Sequence, residues 1–211
     1  TFKFNEYLIK LCQDRGIIIV EDEIKEVVLN NKGDVDKLNG KNRQHEGDLF
    51  IDCTGFTRLL AKKLNFEWVS YKKYLPVNAA VAFPTDEMKE YNLYTLAKTM
   101  KSGWLWRIPT QTRTGNGYVF NKDFTTLDEV QKEIRSLYKN NIKIERSFEF
   151  EPGYYKQMWK NNVVIAGLAG SFLEPLEATS IGSTIQQMFI LIHFLPADDR
   201  KSTNRQYFYL M

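Results

Sequence analysis

Two glutamates, Glu174 and Glu177, flank Pro175-Leu176 between the glycine-punctuated run Gly167-Leu168-Ala169-Gly170 and an apolar segment, residues 183–194, free of Asp, Glu, Lys and Arg. Ahead of the glycines, Val163-Val164-Ile165-Ala166 has the composition of a buried strand. A strand, a glycine turn and a helix start together can hold an anion or a phosphorylated cofactor, because unpaired backbone N–H groups point out of the helix start. A tight turn in a core has the same signature, and this stretch alone does not separate the two readings.

A second stretch has related chemistry. Asp52-Cys53-Thr54-Gly55 closes the apolar run Leu49-Phe50-Ile51, and a glycine at a strand's carboxyl end lets the backbone approach a ligand closely. The alternative is an ordinary strand-to-helix turn, with Asp52 as its cap and Cys53 a small buried residue. Trp104 and Trp106 are two apart, so in a strand both rings leave the same face. Two neighbouring indoles form either the core face of a sheet or one wall of a flat aromatic pocket.

Composition narrows the classes. With 211 residues, 43% hydrophobic and 26% charged, the chain reads as an ordinary globular protein able to bury one good core. A formal charge of +3, spread among acids, gives no footprint for nucleic acid. Cys12 and Cys53 are the only cysteines and His45 and His193 the only histidines. That excludes a disulfide scaffold, fits a reducing compartment and offers no metal site. No run is long enough to span a bilayer and no signal peptide is evident, so a cytoplasmic, non-membrane protein is expected. The start at Thr1, directly in an amphipathic pattern, suggests a piece of a longer chain.

These residues need elements to hold them. Phe4, Tyr7, Leu8, Leu11 and Cys12 predict a packed helix ended by Gly16. Residues 17–20, 24–29 and 35–38 predict an antiparallel meander with a turn at 30–34. Residues 57–64 read as a helix, 77–83 as a strand stopped by Pro84, and 86–92 as a loop. Residues 94–100 and 103–108 read as strands, with Gly115-Asn116-Gly117 as a turn before the strand 118–120. Thr126-Leu127-Asp128-Glu129 is a capping box, starting a surface helix from Leu127 to about Tyr138. Strands are expected at 144–150 and 154–159, about the turn Glu151-Pro152-Gly153. After Pro196 a polar loop leads to a further segment near Arg205.

Three stretches together resemble the flavin-dependent tryptophan halogenase family. They are Asp48-Leu49-Phe50-Ile51-Asp52-Cys53-Thr54-Gly55-Phe56, then Gly103-Trp104-Leu105-Trp106-Arg107-Ile108-Pro109, then residues 167–177. The middle one matches the family's W-x-W-x-I-P signature. The last resembles G-L-x-x-x-F-x-E-P-L-E-S-T, with Ala178 where Ser is usual. The resemblance runs from Phe4 to about Pro196. It implies an α/β protein with α+β character: an incomplete FAD-binding fold of the glutathione-reductase and flavin-monooxygenase type, with an antiparallel-sheet substrate subdomain. Residues 1–75 would be part of the FAD-binding domain, 76–160 the substrate sheet, 161–196 the return to the FAD-binding domain with its buried helix, and 197–211 the start of a C-terminal segment.

The implied reaction is halogenation of an electron-rich, indole- or phenol-like substrate. Reduced FAD and O2 provide the oxidising power, and halide, chloride or bromide, becomes hypohalous acid. Carried over by position, Glu177 looks like the active-site glutamate, orienting the halogenating species or stabilising the cationic ring intermediate. Thr179 and Ser180 look like the halide-facing helix start, where the dipole favours an anion. Trp104 and Trp106 would border the substrate site and disfavour monooxygenation. Asp52, Thr54 and Gly55, with Gly167, Leu168 and Ala169, look like the two cofactor-contacting turns, Asp52 reaching the ribose region or only fixing its turn. A separate flavin reductase would supply FADH2; oligomeric state is not implied.

The family's G-x-G-x-x-G fingerprint and catalytic lysine precede the stretch resembled, so the chain by itself is expected to be inactive. Ala178 lacks the hydroxyl that helps connect the flavin and substrate sites. A flavin monooxygenase is one alternative, opposed by the tryptophan pair and by Leu168 where flavin hydroxylases carry Asp. A non-catalytic flavin or aromatic-ligand binding protein is another.

Overall fold

A computed structural model describes residues 2–86, 94–138, 142–173, 176 and 179–211. The chain divides into two units, residues 1–50 and 51–211.

The first unit opens with α1 (Phe2–Asp14), ended by Gly16 at φ +79°. The Gly16 and Ile17 amides bond back to the Gln13 and Cys12 carbonyls, a glycine C-cap. The helix is as expected but its packing is not: Phe4, Tyr7, Leu8 and Ile9 are exposed. Residues 17–20 form no strand and are exposed. The antiparallel meander is instead β1 (Ile24–Leu29), β2 (Val35–Gly40) and β3 (Gln44–His45), in that order. Asn30 makes the first turn, its Oδ1 accepting from the Lys32 and Asp34 amides. Val27 and Val35 are its buried pair.

Asp22 closes this meander. Its carboxylate accepts from the Glu23 and Asn42 amides and lies 2.8 Å from His45 Nε2. A Cβ at Gly40 would stand 2.0 Å from Asp22 Oδ2, so a residue without a side chain is required there. The hydrogen bond from His45, ahead of the backbone amides, holds the Asp22 pKa at about 2.

β4 (Phe50–Asp52) leads into the second unit through a 3-10 turn at Gly55–Thr57, then α2 (Leu59–Lys63) and β5 (Trp68–Ser70). Next come β6 (Ala79–Thr85), β7 (Leu96–Met100), β8 (Gly103–Pro109), β9 (Thr114–Phe120), α3 (Leu127–Tyr138) and β10 (Arg146–Glu149). The chain then makes β11 (Gly153–Tyr155), β12 (Trp159–Lys160), β13 (Val163–Ile165), a 3-10 turn at Gly167–Ala169, and β14 (Ser171–Phe172). α4 (Thr179–Phe194) and α5 (Arg200–Leu210) complete it.

The largest sheet is antiparallel, in the order β10-β6-β9-β8-β7. Val81, Phe83, Leu105, Tyr118 and Phe120 cover one face and bury Val130 and Ile134 of α3. The α3 start carries the expected capping box: the Glu129 amide donates to Thr126 Oγ1, and the Thr126 amide to Glu129 Oε2. Ala80, Val119 and Phe150 lie in a second cluster with Phe172 of β14. Two smaller sheets, β14-β11-β5 and β12-β13-β4, hold the glycine turns.

The structure departs from the sequence pattern at several points. β6 runs through Pro84, which pairs with Gly115 beyond the last β10 partner, so the missing N–H interrupts no second ladder. Gly115-Asn116-Gly117 lies inside β9, and the chain reverses at Thr110–Arg113 instead, where the Thr110 amide bonds the Arg113 carbonyl. The strand expected at 154–159 is two, β11 and β12. The expected loop after Pro196 is short, and α5 starts at Arg200 with Asp199 as its cap. α4 buries Gln187 and Leu191 but exposes Ile181, Ile185, Phe189 and Ile192, so it is not a wholly buried helix. Of the loop expected at 86–92, residues 87–92 lie outside the described residues.

Candidate functional site

The turn after β4 is organised by one carboxylate. Asp52 is almost fully buried. Its Oδ1 accepts from the Thr54 amide (3.0 Å) and hydroxyl (2.6 Å), and its Oδ2 from the Leu60 (2.8 Å) and Ala61 (3.0 Å) amides. The Leu59 amide is taken by Thr54 Oγ1. Asp52 and Thr54 therefore cap α2 from outside its chain start, satisfying donors that a helix of five residues leaves open. Next after Thr54, Gly55 adopts φ +61°, and a Cβ there would meet nothing within 4 Å. Cys53 is exposed rather than buried. Arg58, at φ +52°, stacks its guanidinium 3.7 Å from the Trp68 ring centroid, and burial lowers its pKa.

The second turn sits alongside. The Ala166 amide donates to the Asp52 carbonyl, and the Gly55 and Gly167 turns touch, so the carboxyl ends of β4 and β13 lie together. Gly167 also has φ +61°, and its amide donates to Gln187 Oε1 at 2.8 Å. Gln187 is fully buried in α4, with Nε2 3.4 Å from Ser171 Oγ. The Gly170 carbonyl accepts from the Tyr155 amide and from the hydroxyl of Tyr207 on α5. Tyr207 is buried without remainder, which pushes its pKa far above the ordinary phenol value. Asn204, one turn earlier on α5, accepts from the Met158 and Trp159 amides and donates to the Trp159 carbonyl.

The sequence pattern does not single out Gln187, Asn204 or Tyr207. A pair of amides in an otherwise apolar helix was the one available signal for Gln187. The α5 residues offered none, since their partners are distant in sequence.

Trp104 and Trp106 are partly buried on one face of β8, their ring centroids 6.0 Å apart with planes at 57°. They pack with Leu168 around Ala80, Val119, Phe150 and Phe172. Phe172 is edge-on to Phe150 (4.9 Å) and to Phe56 (5.1 Å), the residue after Gly55. One aromatic cluster thus joins the W-x-W strand, the Gly167 turn and the Gly55 turn. Ala169 is fully buried, backbone included.

Thr179 and Ser180 form the first turn of α4, which has no acidic residue, and α4 packs on the Gly167 turn. Thr184 Oγ1 donates to the Ser180 carbonyl and lies 3.5 Å from where a Gly167 Cβ would be. Glu177, with Glu174, Pro175 and Ala178, lies outside the described residues. Among the described residues no cluster of His, Cys, Asp and Glu could hold a metal, and no helix is long and apolar enough to cross a membrane.

The fold and site are those of a mixed α/β protein with adjoining glycine turns over an aromatic cluster, and comparison with known proteins gives its kinship. The family model "Tryptophan halogenase" matches residues 1–209, and the chain belongs to that family. It is 37% identical over 201 residues to "Tryptophan 6-halogenase SttH" of Streptomyces toxytricini, covering 92% of this chain and 38% of that one. It is 32% identical over 213 residues to "7-chloro-L-tryptophan 6-halogenase KtzR" of Kutzneria sp. (strain 744), covering 95% and 40%. The crystal structure of SttH superposes with a TM-score of 0.88 at 33% identity, over 95% of this chain and 42% of that one. The chain spans about two fifths of the length of these relatives.

Proposed function

We propose that this chain belongs to an FADH2-dependent halogenase of an electron-rich aromatic substrate, and supplies part of its flavin surface and one wall of its substrate site. The observation that carries this is the single aromatic cluster in which Trp104, Trp106 and Leu168 pack around Phe150 and Phe172, beside both glycine turns. The family membership and the relatives' names support the same reaction.

The residues present fit a flavin. Gly55 and Gly167 bring bare backbone at positive φ to the carboxyl ends of adjoining strands, with open space where a Gly55 side chain would be. In this reading residues 1–75 and 161–196 belong to a flavin-monooxygenase-type FAD fold and residues 76–160 form the substrate sheet. When bound, FADH2 supplies with O2 the oxidising power that turns chloride or bromide into hypohalous acid.

The chain's own residues bind and position. Asp52 holds Thr54 and Gly55 in place, since all four hydrogen bonds of its carboxylate go to the turn and to α2. Gly167, Leu168 and Ala169 form the second cofactor turn. Thr179 and Ser180 offer the α4 start to halide, where helix dipole and open amides favour an anion. Glu177 orients the halogen donor or stabilises positive charge on the substrate ring. Trp104 and Trp106 border the substrate site and disfavour monooxygenation of the substrate.

The test is the full-length protein with a flavin reductase, NADH, FAD, O2, bromide and indole. A product mass raised by bromine for hydrogen, dependent on bromide, is expected. Oxygen incorporation without halogen overturns the reading in favour of a flavin hydroxylase; flavin or indole binding without turnover overturns it in favour of a binding protein.

A further inference from the structure

At one level of the large sheet, Ala82 of β6, Gly117 of β9, Trp106 of β8 and Ala97 of β7 are successive cross-strand neighbours. Cross-strand neighbours share a face, so the Trp106 indole is flanked by the smallest residues available. A Cβ built at Gly117 would stand 1.9 Å from Trp106 Cζ2, 2.0 Å from Cη2 and 2.5 Å from Cε2. The benzo ring therefore lies on the bare Cα of Gly117. Backbone conformation does not explain this glycine, because Gly117 is not among the positive-φ residues. Gly115, two residues earlier on the same strand, meets only the Ile108 carbonyl, at an ordinary 3.8 Å. One level along, Trp104 has Val119 and Thr99 as neighbours, both branched.

We propose that Gly117 is a positioning residue of the aromatic site. Its missing side chain lets Trp106 lie across β9, and the height of that indole sets the width of the slot for the substrate ring. The inference rests on reading Trp104 and Trp106 as substrate-site walls. A methyl group at 117 lifts the ring by about 1.5 Å, the distance needed to restore carbon–carbon contact.

The experiment compares Gly117→Ala with the control Gly115→Ala in the full-length protein, using indole as probe, by near-UV circular dichroism, Kd, KM and kcat. Gly117→Ala is expected to change the indole-pair dichroism and to raise Kd and KM about tenfold. The kcat at saturating indole falls less, and Gly115→Ala changes nothing. In a Trp106→Phe background, whose ring lacks Cζ2 and Cη2, Gly117→Ala is expected to be neutral. That pair also decides the matter if Gly117→Ala alone fails to fold. Unaltered dichroism or Kd in Gly117→Ala, or an equal penalty in the Trp106→Phe background, overturns the proposal. A wild-type protein that binds indole but transfers no halogen overturns the functional reading alone, the Kd comparison still standing. One that binds no indole overturns both.

Discussion

At the scale of single residues, buried polar groups do the precise work. Asp52→Asn replaces one acceptor oxygen by an NH2 that faces amide donors, so roughly 2–3 kcal/mol of stability is expected to be lost, with weaker flavin binding. Urea unfolding and a flavin titration of the full-length protein check the two effects separately. Gln187→Leu keeps the volume but leaves the Gly167 amide without its acceptor, a loss of about 1–3 kcal/mol. Glu177→Gln acts at a different place: kcat is expected to fall by about 10²-fold or more while the flavin Kd stays constant. Unchanged turnover in steady-state assays removes Glu177 from the mechanism.

At the scale of elements, the meander carries a pH dependence of its own. The folded pKa of Asp22, about 2, lies below its ordinary 3.8. A depressed carboxyl contributes fully above the higher value and loses its contribution as pH falls towards the lower. Unfolding midpoints followed through that window should decline in the wild type and flatten in Asp22→Asn. The sequence disclosed elements whose determinants are local. The Thr126–Glu129 capping box placed α3, and Asn30 with Gly33 placed the β1–β2 turn. Glycine was ambiguous where its cause was tertiary: Gly115 and Gly117 read as a turn, yet they lie in a strand, one of them against an indole. α5 was invisible as a support because Asn204 and Tyr207 bond to residues about forty positions away. Of the site, the sequence offers the Asp52 cap as one of two alternatives. It does not offer the Gln187 clamp, which needs α4 folded back on the turn.

At the scale of the whole chain, apolar residues of both units face outward. Ile181, Ile185, Phe189 and Ile192 line the outer side of α4, and Ile17, Ile18, Ile19 and Val20 form an exposed run. Rows of this kind drive association. The 211-residue chain by itself is expected to show an apparent mass in light scattering that rises with concentration, and Ile185→Lys with Phe189→Lys to hold that mass nearer the monomer while Tyr207 and Gln187 keep the fold. The same rise in apparent mass in both chains would assign the association elsewhere.

The Gln187 clamp also makes α4 a ruler. Gln187 lies eight positions beyond Thr179, about 12 Å at the helical rise, so the amide bonded to Gly167 is the datum from which the helix start is measured. Sequence changes at Gly182, where a Cβ meets nothing, leave that measure intact. Inserting one residue between the datum and the start would advance it by about 1.5 Å and turn it by about 100°, displacing Thr179 and Ser180 relative to the Gly167 turn without touching either.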